Sequence, residues 1–251
     1  MACCEAMAEA RVGTSGWSYA GWQGSFYPRQ LRAGERLGFL ARHLRTVELN
    51  ATFYRLQPAE RFASWAAATP ATFRFAVKAW RAVTHFRRLA ACADLLRVFF
   101  DRLIPLGARC GPILLQLPPR FAADAPRLDA FLATLPGTHR YALEFRDPSW
   151  WSDAVLRILH RHRAAFCVFE LGALRSPRLV TTDLVYLRLH GRERRYRGAY
   201  GEPALRAWAA WLASELALGH DVWAYLDNTD EADHAVRDAL CLQALLDAAA
   251  P

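Results

Sequence analysis

LVYLRLHG, residues 184–191, is the stretch that decides the fold class, because apolar and polar side chains alternate along it. Side chains two positions apart share one face of a strand, so Val185, Leu187 and Leu189 form an apolar face. Tyr186 and Arg188 belong to the opposite, polar face, which ends in a histidine just before a glycine. This pattern predicts a strand that packs helices on one face and turns the other towards a barrel interior.

Seven other short β-rich runs complete a set of eight predicted strands. The eight runs lie near residues 12–18, 46–54, 73–80, 112–118, 140–147, 164–170, 184–190 and 221–227. Most are separated by apolar residues at helical spacing, such as the i, i+3, i+4, i+7, i+11 series that begins at Leu205, behind Pro203. Eight strand–helix units in a chain of 251 residues predict an α/β fold, the TIM (β/α)8 barrel.

The predicted domain organisation is one barrel over residues 11–250, preceded by a flexible N-terminus at residues 1–10. Asn228 followed by Glu231 has the spacing of a capping box and predicts the start of the last helix. Residues 171–183 have the composition of a loop, so the helix after the sixth strand is the weakest of the set. No repeat, linker or low-complexity segment indicates a second domain.

The polar parity of the strands carries most of the candidate functional side chains. Its members are Glu48, Asn50, Arg74, Lys78, Glu144, Arg146, Tyr186, Arg188, His190, Tyr225 and Asp227. Barrel interiors are usually filled with branched apolar side chains. Here the charges concentrate near the C-terminal ends of the strands, where barrel enzymes place their chemistry, so we expect a site at that mouth.

Lys78 is the only lysine in a chain with 31 arginines. Arginine stays charged in proteins, whereas a buried lysine loses its proton readily or presents a compact point charge. Lys78 also lies near the end of a predicted strand. We therefore interpret it as functional, with drift in an arginine-biased chain as the alternative.

Composition predicts a soluble, cytoplasmic protein without membrane contact. Hydrophobic residues make up 53% of the chain, yet no run of 18 uncharged apolar residues occurs, and the first ten residues lack a signal-peptide pattern. The six cysteines have no Cys-x-x-Cys spacing, which argues against structural zinc and against disulfides.

The formal net charge of +8 is confined to the first half of the chain: residues 1–125 carry +9 and residues 126–251 carry −1. This asymmetry favours an anionic partner, or weak nonspecific binding of nucleic acid through phosphate contacts. A solvated arginine-rich surface is the alternative.

Several motifs together resemble the domain of unknown function 72 (YecE-like) family. They are Gly13-Thr14-Ser15-Gly16-Trp17-Ser18-Tyr19, Val47-Glu48-Leu49-Asn50, Phe75-Ala76-Val77-Lys78, Thr84-His85, Gln116-Leu117-Pro118-Pro119, Glu144-Phe145-Arg146-Asp147-Pro148, Tyr186-Leu187-Arg188-Leu189-His190-Gly191 and Tyr225-Leu226-Asp227-Asn228. The resemblance covers residues 11–248 and implies a TIM barrel. It implies no defined activity, and the likeness to sugar isomerases is an analogy of fold. One departure is Leu226-Asp227, where the family often has Phe-Asn, so the charge of this site differs.

Three side chains are predicted to carry acid/base chemistry. Glu144 is the expected acid or base, Lys78 an electrostatic stabiliser or Schiff-base nucleophile, and His190 a proton-transfer group. The predicted substrate-binding residues are Glu48, Asn50, Arg146, Arg188, Tyr225, Asp227, Trp17 and Tyr19. We expect an enzyme without a redox cofactor that acts on a small polar, anionic or sugar-like molecule.

Other interpretations stay open from the sequence. Glu48, Glu144, His190 and Asp227 are the ligand types of a divalent metal, although nearby cations disfavour such a site. The inner charges also suit a purely structural ion network. A nucleic-acid-binding or processing protein and a non-catalytic ligand-binding barrel are the remaining alternatives, and nothing indicates the oligomeric state.

Overall fold

Eight parallel strands form a closed barrel in the computed structural model, which describes residues 8–229 and 232–249. The described residues form nine strands, of which all but β7 belong to the barrel: β1 (Ala10–Ser15), β2 (Thr46–Leu49), β3 (Arg74–Lys78), β4 (Cys110–Gln116), β5 (Tyr141–Glu144), β6 (Ala164–Leu171), β7 (Leu174–Arg175), β8 (Leu184–Leu189) and β9 (Asp221–Leu226). Residues 1–7 of the predicted flexible N-terminus lie outside the described part of the chain, and Ala10 already belongs to β1.

The barrel closes through parallel pairing of neighbouring strands. Its order is β1-β2-β3-β4-β5-β6-β8-β9, and β9 pairs again with β1. Only the two-residue β7 departs from this pattern, since it pairs antiparallel with the end of β6. The predicted TIM barrel in a single domain is confirmed.

Helices cover the outside of the barrel. The α-helices are α1 (Arg36–Leu40), α2 (Ala51–Tyr54), α3 (Ala59–Ala67), α4 (Ala93–Leu103), α5 (Ala125–Leu132), α6 (Asp153–Arg161), α7 (Glu202–Ala217) and α8 (His234–Ala249). Their buried stripes pack on the apolar parity of the strands, as the sequence pattern predicts. Across the described residues, none of the helices combines the length and apolarity that a bilayer crossing requires.

The connection from β6 to β8 contains no helix in residues 172–183, as its loop-like composition predicts. Side-chain hydroxyls of this loop bond to the backbone of β6 instead. Thr181 Oγ1 accepts from the Phe166 amide at 2.9 Å, and Ser176 Oγ accepts from the Phe169 amide at 2.8 Å. The loop therefore lies directly against β6, where another crossover would place a helix.

Uncharged side chains fill the N-terminal half of the barrel interior. They are Ala76, Leu114, Ala142, Ala165, Cys167, Leu184, Tyr186, Trp223 and Tyr225. Tyr225 is fully buried, and its hydroxyl hydrogen-bonds that of Thr46, the first residue of β2, at 2.8 Å. This position, one layer below the mouth, does not fit the substrate-binding role predicted for Tyr225, because parity specifies the face of a strand but not the depth along the barrel.

The predicted strand over residues 46–54 ends at Leu49, because the chain turns into α2 there. Thr52 Oγ1 lies 2.7 Å from the Leu49 carbonyl and 2.6 Å from the Lys78 carbonyl, and its hydroxyl donates to them. One hydroxyl thus joins the C-terminal ends of β2 and β3. This hydrogen bond restrains the main chain at Lys78.

The last helix begins at His234 and not at the predicted capping box. Asn228 Nδ2 instead donates to the Gly198 carbonyl at 2.7 Å and to Asp238 Oδ2 at 2.8 Å. The Nδ2 group therefore ties the loop after β8 to α8, and the turn that precedes His234 delays the start of the helix. Glu231, the other half of the predicted box, lies outside the described residues.

Candidate functional site

Arg188 on β8 lies at the centre of a buried charge cluster at the C-terminal mouth. The side chain is fully buried, and Nη1 donates to Glu144 Oε2 at 2.6 Å. Nη2 donates to Glu48 Oε1 at 2.6 Å and to Asp227 Oδ2 at 3.2 Å. The inner charges of β2, β5 and β8 thus meet with the residue that follows β9, as their shared parity predicts. Each charge is paired, which is the condition for burying it.

Glu144 is held as a carboxylate with both oxygens engaged. Arg146 Nε donates to Oε1 at 2.6 Å, while Oε2 accepts from Arg188. Burial alone would raise the pKa of Glu144, but the charges of Arg146 and Arg188 hold that pKa well below its usual range. This environment suits a group that orients two arginines, and it disfavours the acid half of the acid/base role predicted for Glu144.

The Glu48 carboxylate accepts hydrogen bonds from two hydroxyl groups on the inner side of the cluster. Ser15 Oγ donates to its Oε1 at 2.5 Å, and Tyr186 Oη donates to its Oε2 at 2.7 Å. These bonds, together with that from Arg188, satisfy a carboxylate that has no exposure to solvent. Glu48 therefore anchors the cluster to the layer of uncharged side chains below it.

His190 is fully buried, and both of its ring nitrogens have close partners. Nδ1 lies 2.8 Å from Asp227 Oδ2, and Nε2 lies 3.1 Å from Arg188 Nη1. Because the carboxylate only accepts and the guanidinium only donates, the neutral tautomer with its proton on Nδ1 satisfies both contacts. The ring is thus committed to the network, which disfavours the proton-transfer role predicted for it.

Lys78 at the end of β3 differs from the other charges of the mouth. It is buried, with 6% of its surface exposed, and its Nζ lies 4.2 Å from the centre of the Phe53 ring. Within residues 8–229 and 232–249, Nζ forms no hydrogen bond and no ion pair. Burial, aided by the nearby charge of Arg188, lowers the pKa of Lys78 to about 8.

His85 also lies at the mouth, but the alternation of side chains along the strands did not predict it. It lies in a short π-helical turn, Ala82–Phe86, and its ring packs edge to face on Phe53 with centroids 4.8 Å apart. Nδ1 pairs with Thr84 Oγ1 at 2.9 Å. Burial and the charge of Lys78 lower the pKa of His85 to about 4, so the imidazole is neutral near pH 7. The only sequence signal for it was the Thr84-His85 motif of the family resemblance.

The rim of the mouth carries three further predicted residues. Arg146 is mostly buried, and its Nη1 donates to the hydroxyl of Tyr196 in the loop after β8 at 3.2 Å. Asn50 Oδ1 is buried and has no hydrogen-bond partner among the residues of the described structure. Tyr19 donates to the Ser15 carbonyl, and burial together with the charge of Asp227 raises its pKa. These groups surround the cluster from β1, β2 and β5.

Trp17 is not brought into the cluster. Its ring packs edge to face on Trp65 of α3, with centroids 5.4 Å apart, and its carbonyl accepts from Tyr27. The side chain therefore covers the seam between β1 and α3, which is the core-capping role that an aromatic residue past a strand end often has.

The carboxylates proposed as metal ligands have a guanidinium as their common partner. Glu48, Glu144 and Asp227 all accept from Arg188, so an ion placed among them would meet a fixed positive charge. Among the residues that the structure describes, no group of three or more His, Cys, Asp or Glu side chains has the arrangement of a metal site. The metal alternative therefore finds no geometric support.

A separate cavity of about 550 Å³ lies at the opposite end of the barrel. Its lining includes Arg140, Tyr141 and Arg163, which stand at or before the starts of β5 and β6. The N-terminal end of a TIM barrel generally serves stability and not chemistry. The charge cluster and this cavity are thus distinct features.

Comparison with known proteins gives consistent relatives. YecE of Escherichia coli K12 is 35% identical over 143 residues, and YunF of Bacillus subtilis is 33% identical over 150 residues. Each alignment covers 56% of this chain and 50% or 52% of the relative, so the match spans about half the length of these proteins.

Solved structures agree on the fold. A DUF72 family protein from Thermotoga maritima has a TM-score of 0.80 at 26% identity, covering 95% of this chain and 99% of that one. A DUF72 family protein from Enterococcus faecalis has a TM-score of 0.80 at 20% identity, covering 95% of both chains. The family model described as protein of unknown function DUF72 matches residues 11–251. The chain therefore belongs to the DUF72 family.

Proposed function

We propose that the protein is an enzyme that binds a small, oxygen-rich molecule, polar or anionic, at the C-terminal mouth, with Lys78 as the group that acts on it. The observation that carries this proposal is the state of the Lys78 ammonium. It is buried without a polar partner in the described residues, whereas the neighbouring charges pair with one another. In a purely structural ion network, we would expect such a buried cation to form an ion pair with one of the nearby carboxylates.

The open hydrogen-bonding capacity of the mouth supports the class of ligand. Lys78 offers three N–H donors, and Arg146 keeps donors beyond those given to Glu144 and Tyr196. Donors of this kind match carboxylate, phosphate, carbonyl or hydroxyl oxygens. Asn50 Oδ1 adds one buried acceptor that a ligand hydroxyl would satisfy.

The residues of the mouth fall into two groups: those that only hold the arginines in place, and Lys78, which is available to react. Glu144 and His190 hold Arg188 and Arg146 in place, because their own atoms are fully engaged. Lys78, with a pKa of about 8, is partly unprotonated near neutral pH and is able to accept a proton. Acid/base work therefore falls to Lys78, and the carboxylates tune its surroundings.

Thermal melting with a ligand panel tests this function. The panel contains sugar phosphates, small carboxylates, inorganic phosphate and neutral sugars, and the proteins are wild type, Lys78→Arg and Arg97→Lys. Arg97 lies exposed on α4, so Arg97→Lys makes a Lys/Arg exchange away from the mouth. A ligand at one hundred times its Kd adds about 2.7 kcal/mol, which raises Tm by roughly 5 to 10 °C for a domain of this size.

We expect at least one panel member to raise Tm in wild type and Arg97→Lys but not in Lys78→Arg. The reason is that a guanidinium is bulkier than an ammonium and stays protonated. A panel in which nothing shifts the wild type, or in which Lys78→Arg responds equally, would refute the proposed role of the mouth.

A further inference from the structure

We propose that the amine of Lys78 condenses with a carbonyl group of the substrate to form an imine. This inference rests on the proposed function and narrows its ligand class to a small aldehyde, ketone or α-keto acid. It also gives a reason for the single lysine of the chain, because no arginine is able to take that role.

The surroundings of Nζ are those of a nucleophile and not of an ion-pair partner. An aromatic wall, Phe53, lies 4.2 Å from Nζ, and the three carboxylates of the mouth are turned towards Arg188. The free base of an amine loses less on burial than its cation, so burial and the nearby charge of Arg188 favour the reactive form, and they outweigh the attraction of the Phe53 ring for the cation. Thr52 fixes the backbone of Lys78, which leaves only the side chain to adjust.

His85 is the candidate proton carrier for the amine. His85 packs on the same Phe53 ring that Nζ contacts, and burial followed by the charge of Lys78 lowers the pKa of its imidazole. Thr84 occupies Nδ1, which leaves Nε2 without a hydrogen bond inside the described part of the chain. The imidazole is neutral near pH 7 and so is able to accept a proton, and its low pKa makes it release that proton readily to the next acceptor.

The condensation balances without any co-reactant. The amine nitrogen attacks the carbonyl carbon, a C–N bond forms, and one amine proton moves to the oxygen to give a carbinolamine. The C–O bond then breaks, the second amine proton leaves nitrogen, and the oxygen departs as water. His85 relays these protons, and Arg146 binds a carboxylate or phosphate group of the substrate.

Reductive trapping followed by peptide mapping tests the inference. The wild-type protein is incubated with pyruvate, glycolaldehyde or glycolaldehyde phosphate in the presence of sodium cyanoborohydride, which converts an imine into a stable secondary amine. Trypsin normally cleaves after Lys78. An adduct blocks this cleavage and joins residues 75–78 to residues 79–81 in one heavier peptide, which separates Lys78 from the N-terminal amine.

Arg97→Lys serves as the internal control, because it adds an exposed lysine to the same folded protein. The unprotonated fraction of Lys78 near pH 7 exceeds that of an ordinary lysine by about 300-fold. We expect Lys78 to be trapped at least about tenfold faster than the surface lysine, and only while the protein is folded.

The absence of a Lys78 adduct with all three probes, or trapping at the rate of the surface lysine, would overturn the inference. These results are separable from failure of the proposed function. If inorganic phosphate or a carboxylate still raises Tm in a Lys78-dependent way, ligand binding stands and only the imine is rejected.

Discussion

Removing the charge of Lys78 should raise the free energy of unfolding near neutral pH. This gain over wild type should shrink as the pH rises. Folding lowers the pKa of Lys78 from 10.5 to about 8, mainly through burial. Between these values the unfolded chain holds a proton that the native chain has released, so this group makes the free energy of unfolding rise with pH. In the variant Lys78→Met, this contribution disappears.

The magnitude follows from the gap between the two pKa values. Each pH unit of that gap is worth about 1.4 kcal/mol, so the full effect is about 3 kcal/mol, of which about 2.5 kcal/mol develops between pH 7 and pH 10. Lys78→Met should therefore gain stability relative to wild type at pH 7. That difference should shrink by about 2.5 kcal/mol at pH 10.

Urea unfolding of wild type, Lys78→Met and Arg97→Met over this pH range measures the effect. The tyrosines and cysteines titrate in all three proteins, so the difference between variants isolates Lys78. Arg97→Met should run parallel to wild type, because an exposed arginine keeps its proton throughout. If the free energy of unfolding of Lys78→Met changed with pH in parallel with that of wild type, Lys78 would have an ordinary pKa. The argument from burial would then fail.

Three further outcomes are expected. Arg188→Met should lower the free energy of unfolding by about 3 to 5 kcal/mol near pH 7, since it leaves buried carboxylates unpaired. The loss should be smaller at acid pH in urea titrations, because wild type itself loses stability as Glu144 and Asp227, whose pKa values are lowered by folding, become protonated. Asn228→Ala should cost about 1 to 3 kcal/mol and speed tryptic cleavage after the arginines of residues 192–197, because it frees this loop from α8. Any nucleic-acid binding in gel shifts should disappear between low and moderate salt, as expected for scattered phosphate contacts.

Strand parity predicted which charges of the barrel meet, because the two-residue repeat of a strand is set by its backbone. For this reason Glu48 and Glu144 both accept hydrogen bonds from Arg188. The repeat does not report height along the barrel, which depends on the stagger between strands. Tyr225 consequently has the predicted face and lies one layer too deep.

The division of labour within the mouth was not predictable from residue types. Glu144 and His190 are common acid/base groups, and only the distances show that their atoms are already engaged. His85 lies in a π-helical turn, which follows neither the period of a strand nor that of an α-helix. Trp17 was assigned by its position after a strand, but its partner on α3 comes from tertiary packing.

The crossover without a helix, residues 172–183, has a consequence for how the barrel assembles. A short connection loses less entropy when its ends meet, so β6 and β8 are brought together over a smaller loop than the strands joined by residues 190–220. Contacts between segments close in sequence form sooner in folding. A closed ring of parallel strands has no free edge strand from which its assembly would start. We therefore expect the β6–β8 pair to form early in folding, and in the folded chain the hydroxyls of Ser176 and Thr181 bond the connecting loop to β6.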